Sequence, residues 1–394
     1  MVKQKKDNLI IKLILGVVIG LILGLTANSQ VIGIVQTVKY MLGQVISFTV
    51  PLIILGFIAP AITKMKANAS KMLGTMLALA YASSVGAALF AMVAGFILIP
   101  KLNINSTAGG LKELPEILFK LNIPPILSVM SALVLALFVG LAVVWTKSDG
   151  MEKLLDEFNN IMLSIVHKII IPILPVFIAS TFASLAYEGG ITEQLPIFLK
   201  VIVIVLIGHF IWLALLYSIG GVVSKQNSFN LLKHYGPAYL TAVGTMSSAA
   251  TLPVALSCAK KSKVLHDDIT DFAIPLGATV HLCGSVLTEV FFVMTVSQVL
   301  YGTLPSVATM VSFILLLGIF AIGAPGVPGG TVMASLGIIS SVLGFDDSGI
   351  ALMLTIFALQ DSFGTACNVT GDGALALILN GLFKKDLEKS EVVQ

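Results

Sequence analysis

The chain has 394 residues, of which 57% are hydrophobic and 11% charged, with a formal net charge of +3. Soluble globular chains carry about a quarter charged residues, so this balance excludes a water-soluble domain and demands lipid. The basic residues are all lysine and lie between apolar stretches, which leaves no nucleic-acid-binding face, and the scattered Cys258, Cys283 and Cys367 match neither a disulfide framework nor a metal knuckle.

Residues 9–27 follow Lys3, Lys5 and Lys6 in the manner of a signal peptide, but no small-residue cleavage site precedes further apolar spans, so they read as a retained first helix. Crossing a bilayer takes about 20 helical residues. Residues 8–26, 31–62, 73–100, 122–146, 157–187 and 194–223 supply six such spans. Alternate loops hold Lys64, Lys66 and Lys71, then Lys147 and Lys153, then Lys225 and Lys233, which places those loops in the cytoplasm. Residues 28–30 and 188–193 hold no lysine and face outward; the outward loop 101–121 departs from the rule with Lys101, Lys112 and Lys120. Both termini then lie in the cytoplasm of a multi-pass protein of the cell membrane.

After Lys233 the pattern changes. Residues 235–260 and 303–345 are apolar but are broken midway by Ser247-Ser248-Ala249-Ala250-Thr251-Leu252-Pro253 and by Gly323-Ala324-Pro325-Gly326-Val327-Pro328-Gly329-Gly330. Each reads as a helix-turn-helix hairpin. Non-helical backbone at membrane depth is tolerated only inside protein or beside a wet cavity, so the two breaks point to a site. Lys233, Lys260, Lys261 and Lys263 flank the first hairpin, whereas Tyr301, Asp346 and Asp347 flank the second, so the hairpins enter from opposite faces as an inverted repeat. Each precedes a helix expected to be interrupted at a polar, glycine-containing motif, at 275–285 and 361–373.

These two breaks, with Pro275-Leu276-Gly277-Ala278-Thr279 and Asn368-Val369-Thr370-Gly371-Asp372, resemble the glutamate transporter family, the dicarboxylate/amino acid:cation symporters, in order and spacing over most of the chain. The resemblance implies an all-α membrane protein of eight transmembrane helices plus two re-entrant helical hairpins, a homotrimer working as an elevator with the outer hairpin as gate. It divides the chain into scaffold helices 1–2 at 1–70, transport-domain helix 3 at 71–100, scaffold helices 4–5 at 101–190 and a transport domain at 191–384. That domain holds helix 6, hairpin 1 at about 228–262, helix 7 at about 267–301, hairpin 2 at about 303–345 and helix 8 at about 347–384, and residues 385–394 form a cytoplasmic tail.

Asp361 and Asp372 sit in an otherwise apolar helix, where a carboxylate costs about 2.5–3.5 kcal/mol and needs a partner. By resemblance, Asp361 pairs with a substrate amino group, while Asp372, with Asn368 and the carbonyls of Gly277 and His281, holds a sodium ion. Ser247, Ser248, Val327 and Gly329 at the hairpin tips would receive the substrate carboxylate, as half-helix N-termini favour an anion. Ser285, Thr331, Gly364, Thr365 and Asn368 complete the cradle, the last two one turn apart on one face. Thr279 with the carbonyls of Ala321 and Ala324 would form a second sodium site; no organic cofactor is implied. A third, deeper site is expected to be lost, because Cys283 stands where an aspartate is common; Ser83 and Ser84 match its polar end loosely and read equally well as packing residues. His281 likewise replaces a common asparagine.

Family members that carry acidic amino acids use an arginine at the positions of Gly364 or Met246, and this chain has none, so it resembles a divergent member. Gly364 is expected to leave volume beside Met246, Thr331 and Phe363. The function implied is a symporter of a neutral L-amino acid, sodium-coupled through fewer sites than its relatives. The alternatives are a proton-coupled or ion-independent carrier or exchanger using Glu289 as a proton site with His281, eight residues away and two turns along one helical face, or else a channel or a dicarboxylate carrier. His167, His209, His234 and His266 read as packed or interfacial. No catalytic role is expected: Ser247, His281 and Asp361 lie on separate elements, and neither Gly-x-Ser-x-Gly nor His-Glu-x-x-His occurs.

Overall fold

The computed structural model describes residues 9–64, 71–102, 104, 113–127, 129–189, 191–324 and 326–393. Lys3, Lys5, Lys6, Lys66, Lys112 and Pro325, used above, lie outside them. Among the described residues every regular element is helical.

The first group of helices is α1 (Leu9–Thr26), α2 (Ser29–Lys64), α4 (Val129–Thr146), α5 (Asp149–Ile165) and α6 (Ile171–Glu188). Among the described residues six stretches are long and apolar enough to cross a membrane; α1 and α4, with 18 residues each, lie at the short end of the range, at about 27 Å. Helix α1 packs on α6 through Gly16, Gly20 and Gly24, whose Cα atoms face the backbone of Pro175, Ala179 and Ala183. A glycine every fourth residue lines one helical face, so the backbones close to van der Waals contact. Helix α2 holds α4 and α5 in the same manner: a β-carbon on Gly140 would lie 2.8 Å from Ile62 Cβ, and one on Gly56 2.6 Å from Met162 Cγ. Asn159 Nδ2 donates to the Gly56 carbonyl at 2.8 Å, and Gln36 Nε2 donates to Ser184 Oγ at 2.6 Å.

Two expectations shift here. The fifth span begins at Asp149, not 157: α5 runs through a π turn (Val166–Ile170) into α6, and Asp149 and Glu152 favour the positive helix start, so Lys153 lies on a helix instead of in a loop. Residues 122–127 are not helical; the irregular path from 113 is pinned along α2 by Leu118 N–H on Thr37 Oγ1 and Ile123 N–H on Gln44 Oε1, both at 3.0 Å.

The second group is α3 (Lys71–Leu98), α7 (Ile191–Ser224), the single turn α8 (Phe229–Leu232), and seven helices that carry the polar motifs. The first expected hairpin is α9 (Gly236–Thr245) and α10 (Ser248–Ser262), packed together across Met246 and Ser247. Met246 is left-handed, with φ +53°, and ends α9; Ser247 caps α10 by accepting the Ala250 N–H. The second is α13 (Val307–Gly323) and α14 (Gly330–Leu343), joined through Gly329 at φ +72°. Helix 7 is broken as expected, into α11 (Asp267–Val280) and α12 (Cys283–Tyr301), at His281 and Leu282.

Helix 8 is not broken. α15 (Asp347–Val393) runs unbroken through 361–373 and through the expected tail. Its glycines serve close approach: β-carbons on Gly364, Gly371 and Gly373 would meet Ser285, His281 and Tyr217. With no proline in that stretch, nothing removes a backbone donor, and the helix continues.

Candidate functional site

Helix ends converge between the two hairpins. A half-helix leaves its first four N–H groups and last four carbonyls unpaired, with partial positive and negative character respectively. The N-termini of α10, α12 and α14 and the C-termini of α11 and α13 therefore set the electrostatics before any side chain is counted.

The hairpin tips touch. Ser247 Oγ donates to the Gly326 carbonyl at 2.6 Å, and a β-carbon on Gly326 would lie 3.0 Å from the Ala278 carbonyl and 3.4 Å from Ser248 Cβ. At the start of α14 the Gly329 N–H donates to Asp361 Oδ2 at 2.7 Å, so this carboxylate sits on a helix N-terminus, with Asp361 only 3% exposed. Ser248, Thr331 and Thr365 are buried nearby in sequence terms on α10, α14 and α15. Val327 packs against the apolar cluster that Ile53, Phe57, Met162 and Val166 form in the first helix group. Gly323 abuts Ile58, where an added β-carbon would be 3.0 Å from Cγ1.

Asn368 has a role that sequence reading missed. Its Oδ1 accepts the N–H groups of Gly284 at 2.7 Å and Ser285 at 3.1 Å, and its Nδ2 donates to Ser285 Oγ at 2.9 Å. It caps the broken α12 from another helix, 84 residues away for Gly284. A cap normally comes from the preceding residue, and here that is Leu282, which has no side-chain acceptor. Gly364 packs onto the same Ser285: an added β-carbon would stand 3.3 Å from its Cα and Oγ. The volume expected at Gly364 is thus occupied by the start of α12.

His281 acts through its side chain. Nδ1 lies 2.9 Å from Asp372 Oδ1 and Nε2 lies 2.9 Å from Ser83 Oγ on α3. Its N–H also donates to the Gly277 carbonyl at 2.9 Å, and Gly277 backs onto Asp372, where a β-carbon would lie 2.8 Å from Oδ1. Ser83 therefore has a polar partner, whereas among the described residues Ser84 Oγ has none. Around the first expected cation site the donor set is committed inside the protein: Asp372 Oδ1 and the Gly277 carbonyl both bond to His281, and Asn368 Oδ1 accepts the N–H groups of Gly284 and Ser285. The second set keeps acceptors open. Ala321 lies among the last four carbonyls of α13, Ala324 leaves the helix with extended backbone at ψ 139°, and Thr279 Oγ1, which donates to the Leu276 carbonyl at 2.7 Å, keeps its oxygen open on an exposed residue.

Glu289 is apart from these groups and from His281. Because helix 7 breaks at 281–282, the two-turn spacing expected between them does not exist. Glu289 is fully buried on α12; Oε1 accepts from Ser335 Oγ on α14, and Oε2 has no partner among the described residues. His209, on α7, is buried and its Nε2 donates to the Gly284 carbonyl at 3.0 Å and meets Thr288 Oγ1 at 2.9 Å, a packed role as expected. His266 caps α11 by accepting the Asp268 N–H, and the side chain of His167 lies outside those described.

Paired half-helices with a buried carboxylate at a helix N-terminus are the kind of arrangement that secondary transporters use for solutes and ions. Comparison with known proteins agrees. Mouse excitatory amino acid transporter 2 is 30% identical over 259 residues, 64% of this chain and 44% of its own length. Mouse excitatory amino acid transporter 3 is 30% identical over 273 residues, 68% of this chain and 51% of its own. Excitatory amino acid transporter 1 of Ambystoma tigrinum is 27% identical over 302 residues, 73% of this chain and 55% of its own. The chain spans about half the length of these relatives. A model of the sodium:dicarboxylate symporter family matches residues 9–382, which take in both helix pairs, the broken helix and Asp361 and Asp372 of α15, and the chain belongs to that family of membrane transporters.

Proposed function

We propose that the chain is a secondary active symporter of a neutral L-amino acid, coupled to sodium through fewer ion sites than its relatives. One observation carries this reading: Asp361 holds the Gly329 N–H at 2.7 Å in a chain without arginine. An amino acid inserts into that bond without changing the charge of the site. Its carboxylate takes over the Gly329 N–H and the N-terminus of α14, and its ammonium takes over Asp361. A dicarboxylate would bring a further negative charge with no guanidinium to meet it. Lys260, the nearest lysine in sequence to the first tip, is engaged with Asp271 at 2.7 Å at an exposed position. Ser247 and Ser248 line the opposing tip. Sodium, a hard cation, is taken by the carbonyls of Ala321 and Ala324 with Thr279, at the negative end of α13.

In this reading α1, α2, α4 and α5–α6 are the trimeric scaffold and α3 with α7–α15 the transport domain, moving as an elevator between faces of the membrane, and α13–α14 is the gate. The border between them passes where Gly323 abuts Ile58 and Val327 packs on the cluster of Ile53, Phe57, Met162 and Val166, so an opening gate must part Val327 from that cluster. The test is counterflow by purified protein in liposomes against a panel of amino acids, with sodium and proton gradients imposed separately. Serine, alanine or an aromatic amino acid should exchange and aspartate should not; equal uptake of aspartate sinks the reading.

A second reading, proton coupling, draws on Glu289. A buried carboxyl bonded to the gate helix through Ser335, with its other oxygen unpartnered, is a group that can carry a proton across with the moving domain. Uptake that follows a pH gradient without sodium and disappears in Glu289→Gln would select it.

A further inference from the structure

We infer that His281 sets the ion stoichiometry of this carrier: its imidazole engages Asp372 Oδ1, so no sodium ion binds there and the carbonyl site at Thr279, Ala321 and Ala324 is left as the one that does. The inference deepens the proposed function and rests on it only for that second site.

Ser83, His281 and Asp372 come from α3, the break in helix 7 and α15. They stand 198 and 91 positions apart in sequence, so their alignment is a product of the fold. Both ring nitrogens are used, at 2.9 Å each, and the three residues are 6%, 0% and 1% exposed. An ionised carboxylate only accepts, so the Nδ1 proton lies toward Oδ1 and Nε2 then accepts from the Ser83 hydroxyl. Each polar atom of the ring is satisfied within the protein.

The ring has no room to withdraw. Gly371 faces it, so close that a β-carbon there would be 2.9 Å from Cε1, and Gly277 walls the carboxylate from the other side. A sodium ion reaching Oδ1 would have to strip Nδ1 of that partner in a buried pocket, which is the costly case for a buried polar group. The Gly277 carbonyl, another oxygen of that set, already accepts the His281 N–H, and Asn368 Oδ1 accepts from Gly284 and Ser285. Cys283, next to the ring, brings no second carboxylate. An asparagine at 281 would lack the reach of an imidazole and would free Oδ1 for an ion.

The test titrates purified full-length protein with sodium against choline and reads two things: the order of sodium activation of amino-acid counterflow, and the sodium-dependent rise in melting temperature, which needs no transport. Wild type is expected to show a Hill coefficient of about 1, and His281→Asn one rising toward about 2, with a larger sodium-dependent stabilisation. Ser83→Ala, which loosens the ring without removing it, should move both readouts the same way by less. A wild-type coefficient of about 2 or more, or readouts unmoved in both variants, overturns the inference. Exchange that ignores sodium in wild type but gains a sodium requirement in His281→Asn would refute sodium coupling while upholding the role of His281, so the two proposals fail separately.

Discussion

The hydroxyl of Ser247 does two jobs at one atom: it donates to the Gly326 carbonyl at 2.6 Å and accepts the Ala250 N–H at 3.2 Å. It therefore caps α10 and fastens the two hairpin tips together, so a change at Ser247 is felt on both sides of the site.

Ser247→Ala removes both bonds. A lost cap costs about 1 kcal/mol and a lost hydrogen bond about as much again. The expected result is a KM for the amino acid raised roughly five- to thirtyfold in counterflow. The melting temperature should fall by only a few degrees. An unchanged KM would mean that the tip contact does not belong to the substrate-bound state.

Asp361→Asn keeps the size of the side chain and an acceptor for the Gly329 N–H but loses the charge for a substrate ammonium. Bonds to charged groups contribute about 1.5–3 kcal/mol, so affinity should fall at least about tenfold. Binding of the amino acid by isothermal titration checks this, and retained affinity would remove Asp361 from the site.

Met246 and Gly364 are the two positions that the family resemblance marks for an arginine on an acidic substrate, and they are not equivalent. Met246 already adopts the left-handed conformation, so Met246→Arg adds no new backbone strain, while Gly364→Arg must push a β-carbon against Ser285. Aspartate exchange is expected to appear in Met246→Arg, whereas Gly364→Arg should express poorly. Aspartate uptake by Gly364→Arg with normal yield would contradict the packing at Ser285.

Two glycine substitutions separate packing from propensity. A β-carbon on Gly284 would collide with Cys367 Cβ and the Gly364 carbonyl, so Gly284→Ala should yield no folded protein by size-exclusion chromatography. Gly74, on α3, has nothing within 4 Å of an added β-carbon, so Gly74→Ala should raise stability by roughly 0.5–1 kcal/mol in thermal melts.

What the sequence determined by itself is local. Hydropathy and lysine spacing reveal the spans, because a bilayer sets their length. Clusters of small residues mark both hairpins, because a turn inside an apolar stretch has a short-range signature. Asp361 and Asp372 stood out because a carboxylate in an apolar helix is costly. The stripe Gly16, Gly20 and Gly24, an i, i+4 pattern, was not read from the sequence, and nothing local says that α6 is its partner.

Only the tertiary structure decided what each polar group touches. Glycine in a helix signals either a break or a close neighbour. On α15 the neighbours Ser285, His281 and Tyr217 settle it as close packing, while at Gly329 a positive φ settles it as a turn. The two aspartates look alike in sequence, yet Asp361 meets a backbone N–H at a helix start and Asp372 meets an imidazole. Partners 84 or 198 positions away leave no periodic trace, since a side-chain hydrogen bond depends on angstrom-scale placement that only the packed helices impose.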